Sequence, residues 1–513
     1  MPLAEDTEIR EWLKLNAGTS NEILSKGKER VLRSMLLDER QSLSGLDLEI
    51  GHLESLLANL YEKRKSCIHQ IDRYSVGLSP QKHIPSEILA NIFLHSMLHE
   101  RALLPPKRSE SPWVFLWVCS RWRQVALEEH RLWNYLDVQG KRLSSIREIV
   151  TSWLPLLWTP TQSFPISLSL GAADKVLPLR DILLSQTHRL CSISLDTFLK
   201  VTSEFLFASP MVFDTLESLE LFIRLGSSSV GVPSSQYATF PKLKKVTIDD
   251  PTLGFASRSI FFRLPWTQVS HLTLSIRVLT FSTLEDIVTQ CDNLASLSFL
   301  SYYMNPLSDP TFGSSREINL PDLQSLTILT NGHVFDVDVL EYLRVPSLKE
   351  FSVDHRSAMN RHSRAFWNQA MFDNMLRRSQ CSLTSLNLLG GLRTLSFEIL
   401  LPELTSLVTL VVSISDPIPD TIFDKMIQGE VLGKLEHLEC FTSSPIPFLR
   451  LLEYQCEHLT GGKFRGLSFA NISYGVLETT EDIEDFEEIY DRLKPNLGNG
   501  EKEIILNRIE TNI

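Results

Sequence analysis

The sequence is poor in the clusters that chemistry at a site requires. Its seven cysteines (67, 119, 191, 291, 381, 440 and 456) stand singly, with no CxxC pair. Zinc and redox readings are therefore weak, and an odd count without a framework suits a reducing compartment. No apolar run reaches membrane length, and the first ten residues are acidic where a signal peptide would be basic. No membrane association is expected, and the expected location is the cytosol or nucleus. The phosphate-binding patterns GxxxxGK(S/T) and GxGxxG are missing, as is the GxSxG nucleophile elbow, and His99-Glu100 lacks the second His of a zinc-protease helix. Basic surplus is missing too. Fifty Lys and Arg face 62 Asp and Glu, a net charge of −12, which argues against nucleic acid as a ligand of the whole chain. No catalytic residue, cofactor or metal is expected.

What is present is apolar and patterned. The chain is 43% hydrophobic and 22% charged over 513 residues, the balance of a globular protein with several domains. Residues 1–35 are mixed in charge, interrupted by Gly18 and Gly27, and read as loose helix or disorder. Over 36–77 a long helix is expected. Leu46, Ile50, Leu53, Leu57, Leu60, Cys67, Ile71, Tyr74 and Leu78 follow alternating spacings of four and three, with Arg64 in the one gap. That seam fits a helix lying against the chain's own domains, or a coiled-coil dimer.

From 78 to 138 short amphipathic helices follow. Pro85 suits a helix start, and Ile84, Ile88, Leu89, Ile92 and Phe93 recur on one face behind it. After a polar stretch from about Glu100 to Pro112, Leu116, Cys119, Trp122, Val125 and Ala126 line a second helix, on which Cys119 is expected to be buried. Four tryptophans (113, 117, 122 and 133) crowd this short block, more apolar surface than it can bury alone. The residues Ile84-Pro85-x-Glu87-Ile88-Leu89-x-x-Ile92-Phe93, then Val118-Cys119-x-x-Trp122-Arg123-x-x-Ala126, then Leu132-Trp133, resemble the F-box. With the helix upstream, the block is similar to the F-box proteins of mushroom-forming fungi. The resemblance implies a small all-α domain that binds a Skp-type adaptor and, through it, a cullin–RING ubiquitin ligase. It puts Ile84, Pro85, Ile88, Leu89, Ile92, Phe93, Leu116, Val118, Cys119 and Trp122 on the adaptor side.

From 160 to 460 leucines recur as Leu-x-x-Leu-x-Leu. Ten segments keep the spacing, from Leu190-Ile193-Leu195 to Leu435-Leu438-Cys440, with starts 24 to 35 residues apart. An additional first strand is expected at Ile166–Leu170. A period in the twenties with this signature predicts a leucine-rich-repeat solenoid, parallel strands inside and helices outside. Helices are expected behind Pro178, behind a Ser282-x-x-Glu285 capping box, and at 336–344, 364–378 and 420–428. The expected fold class is α/β: long helix, helical block, solenoid. The chain resembles the leucine-rich-repeat class of F-box proteins, with the Asn or Cys that usually follows each strand nearly absent; only Asn331 stands there.

Residues flanking each middle leucine are expected on the solenoid's inner face. Twelve of those twenty are Ser or Thr, which strand propensity explains as well as function does. One step past each strand's last apolar position stand Phe222, Leu300, Leu329, Leu389 and Phe441, the candidates for holding an unknown protein target. The tail, 461–513, is expected to cap the solenoid. It carries eight acids and no base between Glu478 and Asp491, with Ile483, Phe486, Ile489 and Leu493 at helical spacing. The resemblance implies a substrate receptor that makes and breaks no bonds; the alternative is a repeat scaffold outside any ligase.

Overall fold

A computed structural model describes residues 2–16, 23–78, 80–97, 101–104, 106–138, 152, 165–171, 186–207, 211–224, 238–250, 263–276, 279, 281–301, 317–330, 339–355, 365–390, 392–393, 395–413, 417–458, 466–475, 480–497 and 503–508. The chain divides into two compact units, Met1–Leu89 and Ala90–Ile513.

The first unit is helical. Helix α1 (Pro2–Asn16) contacts helix α2 (Lys26–Gly77). Of the loose helix or disorder expected over 1–35, the described residues show helix: the Ser25 hydroxyl accepts the Lys28 N–H and opens α2 ten residues before the predicted start at 36. Gly27 falls in the first turn, where few backbone bonds depend on it. None of the 52 residues of α2 is buried.

The second unit is built on one parallel sheet. Among the described residues it has fifteen strands, hydrogen-bonded in strict chain order. Each of the ten leucine segments supplies one strand, and Ile166–Leu170 is a strand as expected. The sheet runs beyond the predicted 160–460 at both ends. Numbering this sheet alone, β1 (Ala102–Leu104) and β2 (Tyr135–Val138) precede Ile166–Leu170 (β3), with Ala102 paired to Leu136 and Leu136 to Leu168. β14 (Phe469–Tyr474) and β15 (Glu503–Arg508) follow Thr442. The block at 78–138 is thus not all helical, and the tail is not only a cap. Both short strands lie outside the leucine pattern, which is why periodicity missed them.

Alternation explains the layers. In β6 (Lys245–Asp250) and β7 (His271–Ile276), Val246, Ile248, Leu272 and Leu274 point to the packed face and are fully buried. Each such side chain contributes about 1.5–3 kcal/mol of transfer free energy. Covering elements come from the connections. Helix Phe281–Val288 buries Phe281, Leu284, Ile287 and Val288; it starts ahead of Ser282, so the expected capping box lies inside it. Helix Asp420–Gln428 has the predicted bounds. Helix Gln369–Ser379 is opened by the Asn368 side chain, which accepts the Met371 N–H. The helix expected behind Pro178 lies outside the described residues.

Repetition is held by backbone at the strand entrances. The Glu217 carbonyl accepts N–H groups from both Lys244 and Lys245, Lys244 accepts those of Ser270 and His271, and the same double acceptance recurs at Ser270, Ala295, Gln324, Lys349, Thr384, Val408 and Glu436. A turn sets up each step: the N–H of Leu243, Leu323, Leu348 and Leu407 is donated to the residue three back, itself apolar. At the strand exits, two positions past the last repeat leucine, the side chain is buried whatever its type: Thr197, Asp250, Thr330, His355 and Thr442. Thr330 and His355 satisfy each other through Oγ1 and Nδ1 at 2.5 Å. This row, one residue earlier than the expected Asn position, is where the exits are closed.

Candidate functional site

Two surfaces stand out, the helical block and the open face of the sheet. In the block, helix α3 (Ser86–Ser96) starts directly behind Pro85, whose carbonyl accepts the Leu89 N–H at 3.0 Å. Its periodicity splits the candidates by depth. Leu89 and Phe93 are almost wholly buried, whereas Ile88 and Ile92, four apart, are 51% and 48% exposed. Ile84 is half-buried and Pro85 exposed. Phe93 is the packing centre of the second unit's helical part. It stacks on Phe115 at 4.1 Å, with planes 8° apart, and meets Trp122 at 5.0 Å. Such aromatic contacts add about 0.5–1.5 kcal/mol each beyond burial.

The second predicted helix is two. α4 (Phe115–Val118) and α5 (Ser120–Glu128) meet at Cys119, whose backbone is extended. Its sulfur accepts the Trp122 N–H at 3.4 Å, so Cys119 is the N-cap of α5 and is exposed. The expected buried thiol is therefore corrected: an extended residue cannot present its side chain to the helix face that spacing alone assigned it. The Arg123 guanidinium donates to the Leu116 carbonyl at 2.9 Å and fastens α5 to the end of α4. Leu116 is buried, Trp122 half-buried and Val118 51% exposed.

Of the ten adaptor-side candidates, Leu89, Phe93 and Leu116 are core, so no partner can reach them without unpacking the block. Ile88, Ile92, Val118, Cys119 and Pro85 are the accessible ones. Trp117, absent from the candidates, is 46% exposed, with the Arg108 guanidinium 4.4 Å over its ring. Its signal in the sequence was the crowding of tryptophans; the helix break at Cys119 made its face unpredictable.

The other two tryptophans tie this block to the sheet. Trp113 is buried against Trp133 at 4.9 Å and its indole N–H donates to the Leu103 carbonyl of β1 at 2.7 Å. Trp133 donates to Ala126 at 2.8 Å. Glu129 accepts both the backbone N–H and the guanidinium of Arg131; that side-chain bond holds its carboxyl below the ordinary carboxylate value.

On the open face of the sheet, β4 (Leu190–Phe198), β5 (Ser218–Arg224), β6 and β7 are followed by β8 (Ser296–Ser301), β9 (Ser325–Thr330), β10 (Glu350–His355) and β11 (Ser385–Leu389). The middle row crosses neighbouring strands in register as Thr247, Thr273, Ser298, Thr327 and Ser352, then Asn387. The next row carries the target-side candidates. Leu300 and Leu329 are direct neighbours, but Asp354 stands between Leu329 and Leu389, and Phe222 lies between Asp196 and Asp249. Phe441 is set apart, beside Ser473. The five do not form one groove, and Phe222, Leu329 and Leu389 have acids as cross-strand neighbours. Asp196 is held by Arg224 at 2.6 Å. Burial, then the neighbouring Asp250 and Asp196, pushes the Asp249 carboxyl above its ordinary value. His271 is exposed; His437 is half-buried, stacked on Phe469 at 4.3 Å and bonded through Nε2 to Glu439 at 3.0 Å.

Among the described residues no group of three or more His, Cys, Asp or Glu could hold a metal ion, and no helix is long and apolar enough to cross a membrane. Compared with protein-family models and with curated proteins, the chain matches none.

Proposed function

We propose that this chain is a substrate receptor of a cullin–RING ubiquitin ligase, docking a Skp-type adaptor through its F-box-like block and a protein target through leucine-rich repeats. The observation that carries the reading is the sorting of the block's motif residues. Phe93, Phe115 and Trp122 make a closed aromatic centre. Ile92, Trp117 and Val118 on the same short helices stay open to solvent, as does Ile88 one turn earlier on α3. Large apolar side chains left outside a packed centre are what a partner surface needs. On the target side, Phe222, Leu329 and Leu389 beside Asp196, Asp249 and Asp354 fit a segment that is itself apolar and basic. The mechanism is proximity. The receptor raises the local concentration of target lysines near an activated thioester held by another subunit.

The test is co-purification with a Skp-type adaptor. The parent chain is expected to retain it, and Ile92→Asp or Val118→Asp, each folded by circular dichroism, to lose it. A parent chain that never retains the adaptor would overturn the reading and leave a repeat scaffold without a ligase.

A further inference from the structure

From Leu36 onward helix α2 exposes an apolar seam, yet two charged residues stand in that stretch of it. Continuing the four–three spacing backward from Leu46 places Leu43, Glu39 and Leu36 in it; Arg64 lies eighteen residues past Leu46. Glu39, Arg64 and the leucines between them are all exposed. Charges at core positions of a two-helix pair fix its direction and register.

In a parallel pair every core residue meets its own copy, so Arg64 would face Arg64 and Glu39 would face Glu39. In an antiparallel pair centred between Gly51 and His52, residue numbers facing each other sum to a constant. Arg64 then meets Glu39 of the second copy, Leu57 meets Leu46, Ile50 meets Leu53, Leu43 meets Leu60 and Leu36 meets Cys67. Each pair occurs twice, so both charges are matched and every other layer is apolar. The rims do not decide between the two. A parallel pair opposes Glu49 with Glu54, and this antiparallel pair opposes Glu54 with Asp47. The area suffices: seven half-exposed Leu and Ile at about 100 Å² each, with Leu56 and Tyr61 beside them, approach the roughly 800 Å² per partner of a specific interface.

We infer that residues 36–67 of α2 form an antiparallel coiled coil with a second copy of this chain, its direction set by the Arg64–Glu39 pairs. The adaptor reading is independent of this, since the two use different segments.

Light scattering on the full-length chain at tens of micromolar reads the state, with the parent expected to be a dimer. Arg64→Glu and Glu39→Arg are each expected to weaken it by about a hundredfold, because like charges then meet in an apolar core. The double exchange restores it. Cys67 is a built-in reporter of direction. In the antiparallel pair the two Cys67 residues lie about 46 Å apart and cannot be linked. Diamide oxidation with peptide mapping should therefore yield no Cys67–Cys67 disulfide, whereas Leu36→Cys should yield a Cys67 link to the new position. A monomeric parent, a Cys67–Cys67 disulfide, or a charge exchange that fails to rescue would each overturn the inference.

Discussion

Two adjacent residues of α3 separate packing from recognition. Phe93 is 1% exposed and Ile92 48%, and they differ because successive helical residues point about 100° apart, which puts Phe93 in the packed centre and Ile92 at its rim. Phe93→Ala removes a ring stacked on Phe115 and tilted against Trp122. Large-to-small aromatic changes of that kind cost about 3–5 kcal/mol. Ile92→Asp gives up only the half of its side chain that is already covered, so its stability cost should stay within about 2 kcal/mol, below that of Phe93→Ala. Its effect on a partner is larger. About 90 Å² of apolar area remains to be covered at this position, near 2 kcal/mol, and a carboxylate buried in its place adds to the loss. A hundredfold or greater fall in adaptor affinity follows, at 1.4 kcal/mol per tenfold. Urea unfolding followed by tryptophan fluorescence reads the first quantity and titration calorimetry with adaptor the second. If Ile92→Asp unfolds the block as Phe93→Ala does, or binds adaptor as the parent does, the division between packed and partner-facing residues is wrong.

Asp249 has its folded pKa raised, so its ionised form opposes folding: this stability is fully present below the ordinary 3.8 and is lost as pH rises through the folded value. Asp249→Asn should therefore raise the melting temperature at neutral pH, with the gain shrinking as pH falls toward 3.8, read by thermal melts across that range. Gly390 has φ +86°, and a Cβ there would collide with the His355 backbone. Gly390→Ala should cost about 2–4 kcal/mol in a denaturant titration, from left-handed strain plus the displaced strand exit. Burial pushes the Cys291 thiol up to about 12 and raises that of Cys440. Iodoacetamide at neutral pH should label the exposed Cys119 while Cys291 and Cys440 resist until the chain unfolds, as peptide mapping would show.

The strands were legible because burial on one face imposes a period of two, and leucine at fixed spacing announces it ten times. The breaks were not. Cys119 reads as one more residue on an apolar face, yet its extended backbone ends one helix and caps the next. Only the geometry of the Trp122 N–H reveals that, since cysteine is an uncommon cap. The same limit hid the acids beside the target-side candidates. Asp249 and Phe222 are 27 positions apart in the chain and become neighbours only through the register of β5 and β6. Periodicity finds which residues share a face; it does not find which of them touch.

The junction of block and sheet carries the last consequence. A parallel sheet ends in unpaired backbone groups that recruit other strands. Here the first edge strand has only three residues, and the indole of Trp113 occupies its Leu103 carbonyl. Trp113 is in turn fixed by Trp133, and Trp133 by α5. The helical block therefore closes the sheet as well as offering a surface. A chain of residues 80–513 keeps α3 whole together with the sheet and should remain folded and monodisperse. A chain of residues 139–513 loses β1, β2 and the tryptophans together and leaves the five residues of β3, with Ile166, Leu168 and Leu170, as a bare edge. It should aggregate on purification, measured by light scattering. A soluble, monodisperse 139–513 chain would mean that the sheet needs no closure from the block and that the tryptophans serve only the block itself.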